Sequence, residues 1–119
     1  MTIAIAIVVP VLDDWPSFAA LVGDIALHCG DSDLSIHICA VDDGSFLPFA
    51  IETINVPPDS RVVSLEIVRL ALNLGHQRAI AVGLCAMSER ADLDAVVVMD
   101  GDGEDRPRAA RLRRAGEPR

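Results

Sequence analysis

Short runs of apolar residues alternate along the chain with segments in which apolar positions recur every three or four residues. Four of the runs are rich in Val, Ile, Leu and Ala, as expected of strands that are buried on both faces of a sheet. These predicted strands are residues 2–9, 34–41, 61–69 and 95–99. Pro10 is expected to end the first of them.

Two of the intervening segments have helical periodicity. Pro16 suits the first turn of a helix, and an apolar stripe follows it. The stripe consists of Phe18, Leu21, Val22 and Ile25. A second helix is predicted from the turn at residues 73–75 to about residue 90, with a stripe at Ile80, Leu84 and Met87. Residues 47–56 are ambiguous, with a short helix as one option. Strands that alternate with helices indicate the α/β class, with a parallel sheet that is covered on both faces.

Acidic clusters follow three of the four predicted strands. They are Asp13-Asp14, Asp42-Asp43-Gly44-Ser45 and residues 100–105. The carboxyl ends of parallel strands meet at one edge of the sheet, where ligands of such folds bind. We therefore expect a site for a cation-dependent ligand there, although aspartates also end strands without any ligand.

The last cluster contains the sequence Asp100-Gly101-Asp102. In extended backbone, carboxylates two residues apart point the same way, so both can approach one hard cation. Without a cation they would repel each other by several kcal/mol, at about 4 Å and an effective dielectric near 20. An isolated pair of this kind is nevertheless often just a solvated acidic loop.

The surroundings of the acidic run exclude one other interpretation and argue against active forms of two more. A calcium loop of the EF-hand type needs glycine at its sixth position and glutamate at its twelfth, where Asp105 and Arg111 stand. A haloacid-dehalogenase phosphatase and a response-regulator receiver both need a lysine, and the chain contains none.

The charge is unevenly distributed. The 119 residues carry a net charge of −8, and all ten basic residues are arginines, six of them in residues 106–119. The remainder holds 17 acids against 4 arginines. Such an acidic body would repel nucleic acid.

The longest apolar run, residues 3–12, is too short to cross a bilayer, so no transmembrane segment is expected. Three cysteines without a CxxC pair argue against a disulfide framework or a zinc site and favour a reducing cytoplasm.

Four segments occur together in an order that resembles a known family. They are VVPVLDDWPS (8–17), VDDGS (41–45), NLGHQRAIAVGL (73–84) and VVVMDGDGEDRP (96–107). In these the chain is similar to the N-terminal, nucleotide-sugar-binding part of a family 2 glycosyltransferase, closest to the dolichol- and polyprenyl-phosphate sugar transferases. The resemblance implies a truncated Rossmann-like GT-A fold, with about four parallel strands and flanking helices.

The resemblance also implies site residues. The nucleotide-diphospho-sugar would be bound at its nucleobase by Pro10, Val11 and Leu12, and near its diphosphate by Gly75 and Arg78. The other residues that would bind it are Asp14, Asp42, Asp43, Asp100 and Gly101. Asp100 and Asp102 would hold Mg²⁺ or Mn²⁺ against the two phosphates. No catalytic residue is assigned. Glu104 and Gly103 depart from the residues common in close relatives, glutamine and leucine.

The expected function is transfer of a sugar from a UDP- or GDP-sugar to an acceptor, with polyprenyl phosphate and a cell-envelope glycan as candidates. Residues 1–107 would form the nucleotide-sugar-binding part, and residues 108–119 a basic tail that is disordered or foreign to the family. Because the acceptor half is missing, we expect a truncated or frame-shifted product. The alternatives are a tail that attaches to anionic lipid and a non-catalytic nucleotide-binding or interaction fragment. The expected location is cytoplasmic, or peripheral at the inner face of the plasma membrane, with self-association through the exposed sheet edge as a candidate interaction.

Overall fold

A computed structural model describes residues 2–29, 33–47 and 49–100, together with the backbone of residues 111–114. Its elements are β1 (Ile3–Val11), α1 (Trp15–His28), β2 (Leu34–Asp42), a 3-10 helix (Ile51–Thr53), β3 (Val62–Arg69), α2 (His76–Ser88), β4 (Ala95–Val98) and β5 (Arg111–Arg114). The ambiguous region before the two prolines therefore contains one short helical turn.

The strands form one sheet in the order β3-β2-β1-β4-β5. The first four are parallel, and β5 pairs antiparallel with β4. The predicted α/β fold with four parallel strands and flanking helices is confirmed. β5 lies within the segment that was expected to be a basic tail, and the division of the chain at residue 107 stays a prediction.

Pro10 lies inside β1 and does not end it, so that prediction is wrong. It pairs with β2, and the strand continues to Val11. Successive residues of a parallel strand direct their backbone groups to the two neighbouring strands in turn, and the Ala4 amide points to the β4 side, where it donates to the Asp94 carboxylate. Pro10 falls on that same side, beyond Val8, the last residue of β1 that pairs with β4. The missing N–H of Pro10 therefore removes no hydrogen bond between β1 and β4.

One face of the sheet packs against α1. The predicted stripe of α1 is buried as expected, together with Trp15. It packs on alternate apolar residues of the strands, among them Ile7 and Ile38. This face holds the larger of the two apolar clusters of the core.

The other face packs against α2, whose predicted stripe is confirmed in part, since Met87 is buried and Leu84 packs against the core. Its buried residues are Ala79, Gly83 and Met87, and Ile80 is only half-buried. A Cβ on Gly83 would lie 2.5 Å from Val8 Cγ1. The helix therefore approaches the sheet through small residues, which a search for large apolar positions overlooks. Among the described residues, no helix is long and apolar enough to cross a membrane.

Candidate functional site

The strand ends form a connected set of loops at the carboxyl edge of the sheet. Asp43, directly after β2, accepts hydrogen bonds from the Leu74 amide at 2.7 Å (Oδ1) and the Gly75 amide at 3.2 Å (Oδ2). Asp43 is only 4 % exposed. Its carboxylate thus fixes the turn from which α2 begins.

Gly44 makes that contact sterically feasible. Its φ of +83° lies in the left-handed region that favours glycine. A Cβ at this position would lie 2.7 Å from the Asn73 backbone nitrogen. The loop after β2 therefore needs glycine both for its backbone conformation and for its approach to the turn before α2.

Asp42 joins the same loop to β3. Its Oδ1 accepts from the Ser45 amide at 2.8 Å, and its Oδ2 accepts from Arg69 Nη1 at 3.1 Å. Arg69 Nη2 also donates to the Phe49 carbonyl at 3.0 Å. Arg69 was not a predicted site residue. No local sequence pattern marks it, because its partners are 20 and 27 positions away.

Asp13, which is not among the predicted site residues, links the loops that follow β1 and β2. The Asp13 amide donates to Ser45 Oγ at 2.8 Å, and Asp13 Oδ1 accepts from the Leu47 amide at 2.9 Å. The residue holds a φ of 59°, which is uncommon for a side chain other than glycine. Asp14 instead caps α1, where its Oδ1 accepts from the Ser17 amide at 3.3 Å.

The three residues expected at the nucleobase differ in exposure. Pro10 and Val11 are buried within the sheet, whereas Leu12 is 46 % exposed just beyond it. Leu12 is therefore the only one of the three whose side chain faces solvent to a large extent.

The first residue of α2 meets the end of β4. His76 Nε2 lies 3.6 Å from Asp100 Oδ2, and their side chains are 50 % and 31 % exposed. Gly75 precedes the helix with a φ of +98°, and Arg78 is exposed in the first turn. The first amides of a helix have no intrahelical partner and carry the positive end of its dipole. This corner thus combines a carboxylate with groups that suit an anion.

The donor atoms at this corner are of the kind that a divalent cation takes. Carboxylate oxygens suit Mg²⁺ and Mn²⁺, and imidazole is also a ligand for transition metals. Across the described part of the chain, no three His, Cys, Asp or Glu side chains come together as a ligand set. Gly101 and the second predicted ligand, Asp102, lie outside the described residues. The Asp100 carboxylate is a suitable ligand for a divalent cation, and Asp102 would have to supply a further ligand.

No protein-family model and no curated protein matches the sequence. Among the solved structures that match are two of S. aureus TarS. S. aureus TarS matches with a TM-score of 0.52 at 17 % identity, over 86 % of this chain and 17 % of that chain. A structure of S. aureus TarS 1–349 matches with a TM-score of 0.49 at 19 % identity, over 86 % of this chain and 28 % of that chain.

The fold is part of a GT-A glycosyltransferase fold. At this level of identity the likeness concerns the fold alone. It does not distinguish a subfamily. The chain spans less than a third of the length of either TarS chain.

Proposed function

We propose that the chain binds a UDP- or GDP-sugar at the carboxyl edge of its sheet, with Mg²⁺ or Mn²⁺, as the donor-binding part of a family 2 glycosyltransferase. The observation that carries the proposal is the 3.6 Å approach of Asp100 to His76. It brings the first carboxylate of the predicted metal pair to the helix end that suits a diphosphate.

Some residues at this edge would contact the ligand, and others would hold those residues in place. Leu12 would contact the nucleobase, while the buried Pro10 and Val11 hold the strand end behind it. The Gly75 turn and Arg78 would face the diphosphate, and Asp100, Gly101 and Asp102 the metal and its phosphates. When bound, the metal supplies charge stabilisation to the nucleoside diphosphate as a leaving group.

Asp42, Asp43 and Asp14 would act mainly through the loops that they hold. Asp42 and Asp43 each already accept two hydrogen bonds from the protein. Only their remaining lone pairs could accept from a base or ribose. Asp14 caps α1 and would shape the loop beneath the base.

We propose polyprenyl phosphate or a cell-envelope glycan as the acceptor, and a cytoplasmic or inner-membrane-surface location.

A second candidate function is a non-catalytic nucleotide-binding or interaction module. Self-association would then use β3, which ends the sheet on one side.

Titration calorimetry with UDP, GDP and their sugars, with and without Mn²⁺, tests the proposal. We expect binding that needs the metal and that is lost in Asp100→Asn and Asp102→Asn. Asp24→Asn is the matched control, since Asp24 is an exposed acid on α1. Absence of metal-dependent binding for every nucleotide would refute the proposal. Binding without sugar transfer to polyprenyl phosphate would favour the second candidate.

A further inference from the structure

The four aromatic side chains of the protein divide into a packed group and one exposed residue. Trp15 stacks on Phe49 with ring centroids 4.6 Å apart and planes 2° apart. Trp15 also meets Phe18 edge to face at 5.9 Å. Phe46, by contrast, is 93 % exposed. Packing of the core therefore accounts for three of the aromatic residues and leaves the fourth unexplained.

The backbone on both sides of Phe46 is fixed. Ser45 donates its amide to Asp42 and accepts from the Asp13 amide through Oγ. Leu47 donates its amide to Asp13 Oδ1. Because the loop is already anchored, it loses little conformational freedom when a ligand covers the Phe46 side chain.

Phe46 belongs to an apolar patch at the carboxyl edge of the sheet. The patch consists of Leu12, Phe46, Leu47 and Leu72, which are 46 %, 93 %, 60 % and 62 % exposed. These side chains stand on the loops that follow β1, β2 and β3. The loops are joined by the hydrogen bonds of Asp13 to Ser45 and Leu47 and by the close approach of Gly44 to the Leu72 backbone. Exposed apolar surface with a polar surround marks a ligand or interaction site.

The small size of this exposed apolar surface favours a small ligand. One aromatic side chain offers roughly 150–250 Å², so Phe46 with three partly exposed leucines falls short of the roughly 800 Å² that each partner buries in a specific protein interface.

We propose that Phe46 is the stacking platform for the nucleobase of the bound nucleotide, with Leu12 and Leu47 at its margin. The inference rests on the proposed function and adds to it the residue that recognises the base. Stacking on an aromatic ring accepts any base, because every base has a π face. Phe46 therefore contributes affinity for nucleotides over other diphosphates and does not choose between uracil and guanine.

The test compares ligands with and without a base. Binding of UDP, GDP and inorganic pyrophosphate is measured with Mn²⁺ for the parent chain, Phe46→Ala and Phe46→Trp. The control is Leu27→Ala, since Leu27 is 76 % exposed on α1. We expect Phe46→Ala to weaken UDP and GDP roughly 5- to 150-fold, with pyrophosphate unchanged. Phe46→Trp should keep the affinity, and its added indole fluorescence should fall on nucleotide binding.

The outcomes separate this inference from the proposed function. If the parent binds UDP or GDP and Phe46→Ala binds them equally well, the stacking role alone is wrong. Equal weakening of pyrophosphate and nucleotides would also overturn it, because Phe46 would then act on the loop and not on the base. If the parent binds none of the three ligands with Mn²⁺, the proposed function fails and the stacking role with it. A change in sedimentation in Phe46→Ala without any change in nucleotide affinity would assign the patch to a contact between copies of the chain.

Discussion

The carboxylate of Asp43 receives the backbone amide of Leu74 at 2.7 Å, so the end of β2 holds the turn that starts α2. The same carboxylate receives the Gly75 amide. Two segments more than 30 residues apart are therefore fixed to each other at the edge where a ligand is proposed to bind. This contact couples the stability of the fold to the geometry of the candidate site.

Asp43→Asn is expected to lower the free energy of unfolding by about 1–3 kcal/mol. Its side-chain oxygen can accept from one amide, while its NH₂ group would face the other and leave it without an acceptor in a buried position. Urea unfolding measures the loss, and amide hydrogen exchange should speed up at Leu74 and Gly75. Asp24→Asn on the exposed face of α1 is the control. Unchanged exchange at both amides in Asp43→Asn would contradict the assigned role.

Two glycines should respond in opposite directions to alanine. Gly44→Ala is expected to cost about 1–3 kcal/mol, because its φ of +83° disfavours a side chain and its Cβ would meet the turn before α2. Gly23→Ala is expected to stabilise the protein by about 0.5–1 kcal/mol, because Gly23 lies within α1 and a Cβ there meets nothing within 4 Å. Thermal or denaturant unfolding of both variants checks the difference. Similar stabilities for the two variants would refute the described loop.

Stability should fall in alkaline solution because of Cys39. Burial, with a smaller contribution from the charge of Glu66, raises the pKa of the Cys39 thiol to about 11, whereas an unfolded cysteine has a pKa near 8.5. The folded state therefore holds the proton more tightly. The stability that this provides is complete below about pH 8.5 and is lost as the pH rises toward 11.

The measurement is the free energy of unfolding between pH 8 and 11, for the parent chain and for Cys39→Ala. The variant should show a shallower decline, since it lacks the titrating group. At pH 8, a thiol reagent should react quickly with the exposed Cys85 and with Cys39 only on unfolding. Parallel declines in the two proteins would contradict the effect.

The sequence predicts the sheet well because buried parallel strands have a direct signature, continuous β-branched and apolar runs. Pro10 was misjudged because its effect depends on where the neighbouring strand stops. The stripe of α2 was predicted only in part, because Ala79 and Gly83 also face the sheet and a search for large apolar residues does not detect them.

The candidate site could be predicted only as a location. Acidic residues at strand ends indicate which edge of the sheet holds the site, but the individual aspartates have different structural roles. Asp14 caps a helix, Asp13 joins two loops, and Asp43 holds a turn. Those tasks are set by hydrogen bonds between segments far apart in the chain. The sequence has no local pattern for them, and none for the link between Arg69 and Asp42.

The most direct test of the central claim is to locate a paramagnetic ion on the folded chain. With UDP or GDP present, Mn²⁺ should broaden the backbone amide resonances of Gly75, His76 and Asp100, and leave those of Leu27 and Asp59 sharp. In Asp100→Asn the broadening should disappear. Broadening that spreads evenly over the acidic surface, or that persists in Asp100→Asn, would contradict a metal-diphosphate site between β4 and α2.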